Sequence, residues 1–168
     1  CGFEPVYYTG TGNSKSVYRK WQDGSDTCYA DNTKNGYRLP TEAEWEWAAT
    51  SRGTKTAANG YEYCGFKVMD NKVKTANFSG NQSNNSEPWT VWSTDNQTFI
   101  DFGLIGMSGN AWEWCWNPDA QKPLVLKGGS YGTSADRCTY YYRAAYNLTD
   151  NFDYLHSRGL RMVRNAEW

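Results

Sequence analysis

Residues 37–49, Tyr-Arg-Leu-Pro-Thr-Glu-Ala-Glu-Trp-Glu-Trp-Ala-Ala, carry the clearest helical pattern in the chain. Trp45, Ala48 and Ala49 recur at three- and four-residue spacing, so one face of the helix is predicted to be core. Thr41 is placed to cap it, and Glu44, three residues on, completes a capping box. Acidic Glu42 and Glu44 suit the positive end of the helix dipole. Elsewhere the apolar positions come in short runs, which predict strands at residues 6–8, 66–68, 112–116, 124–126 and 160–163. Trp112, Trp114 and Trp116 alternate through one of these and read as core rather than as platforms for stacking sugars. Residues 51–62 and 79–98 are rich in Gly, Asn, Ser and Thr and read as long irregular loops. The pattern as a whole predicts an α+β fold with much irregular structure, in which loops carry the function.

Composition narrows the function classes. At 168 residues a single domain is the default. The net charge is −1 and the basic residues are scattered, so neither nucleic acid nor an anionic membrane face is an expected partner. Nine Trp and thirteen Tyr suit a loop-rich fold whose core is built from aromatic rings. No apolar run is long enough to span a bilayer. The five cysteines, Cys1, Cys28, Cys64, Cys115 and Cys138, contain no C-x-x-C pair, which excludes a zinc ribbon or a thioredoxin motif. Spacing does not reveal any pairing among them. His156 is the single histidine, which argues against His-rich iron or zinc catalysis.

The C-terminal segment has its own vocabulary. Residues 132–157 contain no Trp, Met, Lys, Gln or Glu and are rich in Tyr, Asn, Asp, Ser and Thr. Those five absent types are the ones that a codon ending in a pyrimidine cannot encode. Tyr offers large amphipathic contact area at low entropic cost, and the small polar residues offer adaptable hydrogen bonding, as in antibody loops. Such a composition suits a binding surface. If Tyr140-Tyr141-Tyr142 is a strand, Tyr140 and Tyr142 share one face and Tyr141 points the other way, into the core.

Three stretches together carry a resemblance. They are Gly36-Tyr37-Arg38-Leu39-Pro40-Thr41-Glu42-Ala43-Glu44-Trp45-Glu46, then Gly106-Met107-Ser108-Gly109-Asn110-Ala111-Trp112-Glu113-Trp114, then Lys127-Gly128-Gly129-Ser130-Tyr131 with Gly159-Leu160-Arg161 closing. In order and spacing they resemble the formylglycine-generating-enzyme (sulfatase-modifying factor) family, which implies a C-type-lectin-like fold. The resemblance implies that residues 1–168 are the C-terminal part of such a domain, with its N-terminal part lying before Cys1. Cys1 followed by Gly2 also fits the lipid-bearing first residue of a lipoprotein. Pro5-Val6-Tyr7-Tyr8 reads as strand from the outset, so any lipid anchor is expected outside this chain.

Enzymes of this family oxidise a substrate cysteine with two thiols of their own that hold copper(I). The matching positions here are Thr133 and Cys138, and a hydroxyl cannot replace a thiolate towards that soft ion. Catalysis is therefore not expected, and Cys138 reads as a small buried residue. A second branch of the fold, the variable proteins of diversity-generating retroelements, keeps a fixed frame and rewrites solvent-facing residues near the C-terminus. By that resemblance Gly128, Gly129, Ser130, Arg143, Gly159 and Arg161 are frame. The displayed, ligand-binding set is Thr133, Ser134, Asp136, Thr139, Tyr140, Tyr142, Tyr146, Asn147, Asp150, Phe152, Asp153, Tyr154 and His156. The expectation is a non-catalytic, cell-surface binder of a protein or other surface ligand, exported to the outer membrane as a lipoprotein. The alternatives are a formylglycine-generating-type thiol oxidase and a carbohydrate-binding lectin. No cofactor is required on this reading. The family resemblance does imply a Ca2+ site, with carbonyls from Gly109 and Ala111 and the carboxylate of Glu113, although Gly106 stands where a side-chain ligand is usual. The competing reading has Glu113 bonded to backbone amides. Asn77-Phe78 resembles part of a second calcium site.

Overall fold

Short apolar runs support only short strands, and the strands among the described residues are two to five residues long. The computed structural model describes residues 2–10, 12–18, 28–67, 76–79, 103–117, 124–145 and 157–165. They belong to two compact units, one of residues 1–39 with 162–168 and the other of residues 40–161.

In the first unit β1 (Tyr7–Thr9) lies between β2 (Ser16–Val17) and β3 (Cys28–Ala30), antiparallel to both. A short 3-10 turn at Gly12–Ser14 reverses the chain between β1 and β2. Val6, just before β1, is buried, and its carbonyl accepts the Asp31 amide at 2.9 Å. The Tyr7 hydroxyl accepts the Leu39 amide at 2.7 Å. Arg38 and Val163 exchange backbone hydrogen bonds at 2.9 and 2.8 Å. Asp31 organises the turn after β3: its carboxylate takes hydrogen bonds from the Thr33 hydroxyl, the Thr33 amide and Lys15 Nζ. Those bonds, the Thr33 hydroxyl first, hold its carboxyl down at about 2.

The second unit contains α1 (Glu42–Ala49), which the capping box starts as expected. The Glu44 amide donates to Thr41 Oγ1 at 3.2 Å, and Glu44 Oε2 accepts the Thr41 amide at 2.8 Å. The helix stops because Ser51 and Arg52 take positive φ angles of 51° and 62°. Its sheet has the order β6-β5-β4-β7, with β4 at Trp112–Trp116, β5 at Leu124–Lys127, β6 at Ala144–Ala145 and β7 at Arg158–Gly159. Strands β4 and β5 run antiparallel with Glu113 opposite Lys127 and Cys115 opposite Val125. Strand β6 is antiparallel to β5, and β7 is parallel to β4. Trp45 and Ala49 of α1 pack with Cys64, Met107, Cys115 and Val125 in the main core, with Ala48 partly buried against it.

Three expectations change. The tryptophans of β4 are not the face turned inward: Glu113 and Cys115 are buried, Trp112 and Trp114 are half-buried, and of the three tryptophans only Trp116 is buried. The reason is that Glu113 finds charge and hydrogen-bond partners inside. The strand expected at 66–68 is a single bridge between Tyr63 and Phe66, and Val68 lies outside the described residues. The last strand falls at Arg158–Gly159 rather than at 160–163, which leaves Leu160 and Met162 exposed. Of the loop expected at 79–98, only Ser79 is among the described residues.

Candidate functional site

At the end of β5 the chain leaves the sheet through Gly128 and Gly129, whose φ angles are 87° and 78°. A side chain fits at neither. A Cβ on Gly128 would stand 2.8 Å from the Met107 carbonyl oxygen, and one on Gly129 would stand 2.5 Å from Cys138 Sγ. The glycine pair therefore brings the next turn directly over Cys138.

Ser130 and Thr133 close that turn on themselves. Thr133 Oγ1 accepts the Ser130 amide at 3.1 Å and lies 2.8 Å from Ser130 Oγ, while the Thr133 amide donates to the Ser130 carbonyl at 3.0 Å. A 3-10 turn at Ala135–Arg137 follows and delivers Cys138 beneath it. The Cys138 thiol is fully buried and faces the Ser134 and Thr133 carbonyls at 3.5 and 3.9 Å. Burial pushes this thiol up to about 12. A thiol of that kind is almost wholly protonated near neutrality and is a poor nucleophile and metal ligand.

The displayed set is only partly as expected. Ser134 and Asp136 are exposed. Thr133 is half-buried with its hydroxyl held by Ser130. Thr139 is a correction: it is 2% exposed, its side chain turned back towards the Asp136 carbonyl. Tyr141 is a second correction. It was expected to point inward as the odd face of a strand, yet residues 138–142 form turns, so alternation does not apply and its ring is 49% exposed. Tyr140 is half-buried against the main core; its amide donates to the Glu62 carbonyl at 3.0 Å and its hydroxyl accepts the Ala57 amide at 3.1 Å. Tyr142 is half-buried beside Trp112, with ring centroids 6.1 Å apart. Tyr146, Asn147, Asp150, Phe152, Asp153, Tyr154 and His156 lie outside the described residues.

Ion pairs tie the strand before this turn, and Arg143 after it, to α1. Lys127, with no exposed side-chain surface, reaches Glu46 at 2.6 Å and Glu42 at 3.5 Å, and Arg143 meets Glu42 at 3.0 Å. Gly159 pairs with Glu113 across β4 and β7. Arg161 Nε and an Arg161 terminal nitrogen donate to the Glu113 carboxylate at 2.9 and 2.6 Å, and Trp45 Nε1 donates to it at 2.7 Å.

That last cluster shows how the Glu113 carboxylate is engaged. The Glu113 carboxylate is charge-balanced by Arg161 and receives side-chain donors, not the backbone amides of the competing reading. A cation bound there would share this carboxylate with Arg161 and Trp45. Asn77 and Phe78 are both buried, and the Asn77 carbonyl accepts the Asn110 amide at 2.6 Å. Among the described residues no three His, Cys, Asp or Glu side chains gather as a metal site.

Periodicity did not single out the loop at residues 57–66 as a neighbour of the C-terminal turn. Two Tyr140 hydrogen bonds join them, and Tyr63 packs with Cys138 and Ala135 in a second buried cluster.

Residues 13–166 match the model of the sulfatase-modifying factor enzyme 1-like domain. Chaperone protein LppX of Paenibacillus barcinonensis is 30% identical over 151 residues, covering 78% of this chain and 50% of that protein. The formylglycine-generating enzyme of Mus musculus is 27% identical over 157 residues, covering 79% of this chain and 39% of the enzyme. The chain thus spans half the length, or less, of these two relatives. A Mus musculus paralogue named as inactive is similar at 28% identity. Among solved structures, Treponema denticola variable protein 1 superposes with a TM-score of 0.69 at 25% identity, over 95% of this chain and 62% of that one.

Proposed function

Because the chain belongs to the sulfatase-modifying factor enzyme 1-like family and has its α+β, C-type-lectin-like fold, we propose that it is a non-catalytic ligand-binding protein. In this reading residues 132–157 are diversified by a retroelement to engage varied protein partners at a cell surface. The family contains both enzymes and a relative named as inactive, so membership alone does not decide between catalysis and binding.

The observation that carries the reading is the state of the position matching the family's thiol pair. Thr133 supplies a hydroxyl engaged with Ser130, and Cys138 is a sealed, protonated thiol. Copper(I) chemistry of the family type needs two accessible thiolates. Around that sealed centre, Ser134, Asp136 and Tyr141 face solvent on a turn tied by the amides of Thr133, Arg137, Cys138, Tyr140 and Tyr142. A fixed backbone with exposed Tyr and small polar groups loses little entropy on binding. No cofactor is required for such a role. Nucleic acid is not among the proposed partners. On this reading the protein acts at the outer membrane as an exported lipoprotein; no helix among the described residues is long and apolar enough to cross a membrane.

Two assays test this. Oxidation of a peptide cysteine with added copper and reductant should be absent, and any turnover lost in Cys138→Ser refutes the non-catalytic reading. A display library of the full chain, randomised at Ser134, Asp136, Tyr146, Asn147, Asp150, Asp153 and Tyr154, should yield binders to unrelated folded proteins while remaining folded. A well-folded library that yields none refutes the binding reading.

A further inference from the structure

A short 3-10 turn at Ala57–Asn59 opens with Thr56 in an extended conformation, and the Thr56 side chain makes no capping bond. The first amides of a helical turn have no partner inside it, so the Ala57 amide depends on an acceptor from elsewhere. That acceptor is the Tyr140 hydroxyl, 3.1 Å away and 83 residues later in the chain. At the other end of the loop, the Glu62 carbonyl accepts the Tyr140 amide at 3.0 Å. One residue of the C-terminal turn thus grips both ends of segment 57–62. Between those points the segment is braced from within. The Asn59 and Tyr61 amides share the Thr56 carbonyl at 2.9 Å each, and Asn59 Nδ2 donates to the Thr54 carbonyl at 2.9 Å.

The ring of Tyr140 is engaged as well. It is half-buried and packs against the main core that contains Trp45, Cys64 and Met107. Tyr141 meets it edge-on, with centroids 5.2 Å apart and 86° between the planes. Tyr141 is itself 49% exposed, so its outward ring leans on an inner one held at amide, ring and hydroxyl. Tyrosine combines an apolar ring for the core with an acceptor oxygen at its far end for the Ala57 amide. Phenylalanine lacks that oxygen, and tryptophan offers a donor instead.

We propose that Tyr140 is a positioning residue of the binding surface rather than one of its variable contacts. The inference rests on the binding reading above, whose partner is a folded protein. Through its hydroxyl and amide Tyr140 sets the loop that carries exposed Asn59 and Glu62, and through its ring it sets Tyr141. A partner protein then meets the loop and Tyr141 in one fixed arrangement, and parts already ordered lose less entropy on docking. Position 140 therefore stays tyrosine while its neighbours in residues 132–157 change.

Hydrogen exchange in the full chain, followed amide by amide, tests the grip without any partner. In Tyr140→Phe, which keeps the ring, the Ala57 amide should exchange about three- to tenfold faster, as for one lost hydrogen bond, with the amides of β4 unchanged. An unchanged Ala57 rate overturns the proposal. The role in binding is read on clones selected against lysozyme from the display library described above, with position 140 randomised as well. Enriched clones should keep Tyr140, and free variation there overturns the proposal. In such a clone Tyr140→Phe should weaken lysozyme binding about threefold or more. The factor should shrink once Asn59→Ala and Glu62→Ala are both present, because the loop that Tyr140 sets then makes no side-chain contact. A tyrosine that served stability alone would cost the same factor in both backgrounds, and that result also overturns the proposal. Clones that bind lysozyme indifferently to Tyr140→Phe sink this role and leave the binding function standing. A folded library without binders removes the binding function and this role with it, even where the Ala57 exchange rate responds.

Discussion

The Glu113→Gln variant tests how the second unit is held together and whether its buried acid is structural. Glu113 receives hydrogen bonds of 2.7 Å from Trp45 Nε1 and of 2.9 and 2.6 Å from Arg161. It therefore ties α1, β4 and the residues after β7 to one carboxylate. Removing one partner of a buried pair costs ~3–5 kcal/mol, because the remaining charge is stranded. The Arg161 side chain is 27% exposed and that of Glu113 10%. Water thus reaches the guanidinium in part, and glutamine still offers one acceptor, so the expected cost is ~2–3 kcal/mol. At ~3 °C per kcal/mol for a chain of this size, the melting temperature should fall by roughly 6–9 °C. The assay is thermal unfolding followed by near-UV circular dichroism, with and without calcium chloride. Arg161→Met added to Glu113→Gln should cost less than the sum of the two single changes, because they share one contact. A loss below about 0.5 kcal/mol, within the range of ordinary surface changes, would refute the argument. So would a calcium-dependent rise in the wild-type melting temperature that disappears in Glu113→Gln, since the acid would then be a metal ligand.

Gly129→Ala should destabilise by ~2–4 kcal/mol in urea, because it combines a left-handed φ of 78° with a Cβ 2.5 Å from Cys138 Sγ. Native Cys138 should resist iodoacetamide at pH 8 and react only after denaturant is added; rapid native labelling would contradict its burial. Thr41→Ala should cost about 1 kcal/mol through loss of the α1 cap, measurable by urea titration. Asp31 has a folded value of about 2 against an ordinary 3.8, so its contribution is present above pH 3.8 and is lost as pH falls towards 2. The difference in melting temperature between wild type and Asp31→Asn should accordingly be constant near neutrality and close over that acid window.

What could be read from the residues alone was whatever depends on neighbours in sequence. The capping box at Thr41 and Glu44, the inward Trp45 and Ala49, and strand β4 at Trp112–Trp116 all rest on local spacing, and all are found. The failures occur where a distant partner decides. Glu113 turns inward because Trp45, 68 residues away, and Arg161, 48 residues away, are waiting for it. That reverses the tryptophan face of β4. Tyr141 points outward because the Tyr140 amide is taken by Glu62, 78 residues earlier in number, which makes a turn of what reads as a strand. Thr139 is buried for the same reason. No periodicity could have linked residues 57–66 to residues 133–141, since the link is made of main-chain groups whose sequence is silent.

That silence has an evolutionary side. The Ser79 amide holds the Thr133 carbonyl, the Cys138 amide holds Ala135, the Tyr140 amide holds Glu62, and the Tyr142 amide holds Thr139. Every one of these tethers joins peptide groups, which all residues except proline possess alike. Residues such as Ser134 and Asp136 can therefore be exchanged for almost any other without redirecting the path of the chain. Tolerance of substitution at such exposed positions is thus a property of the polypeptide rather than of any chosen amino acid.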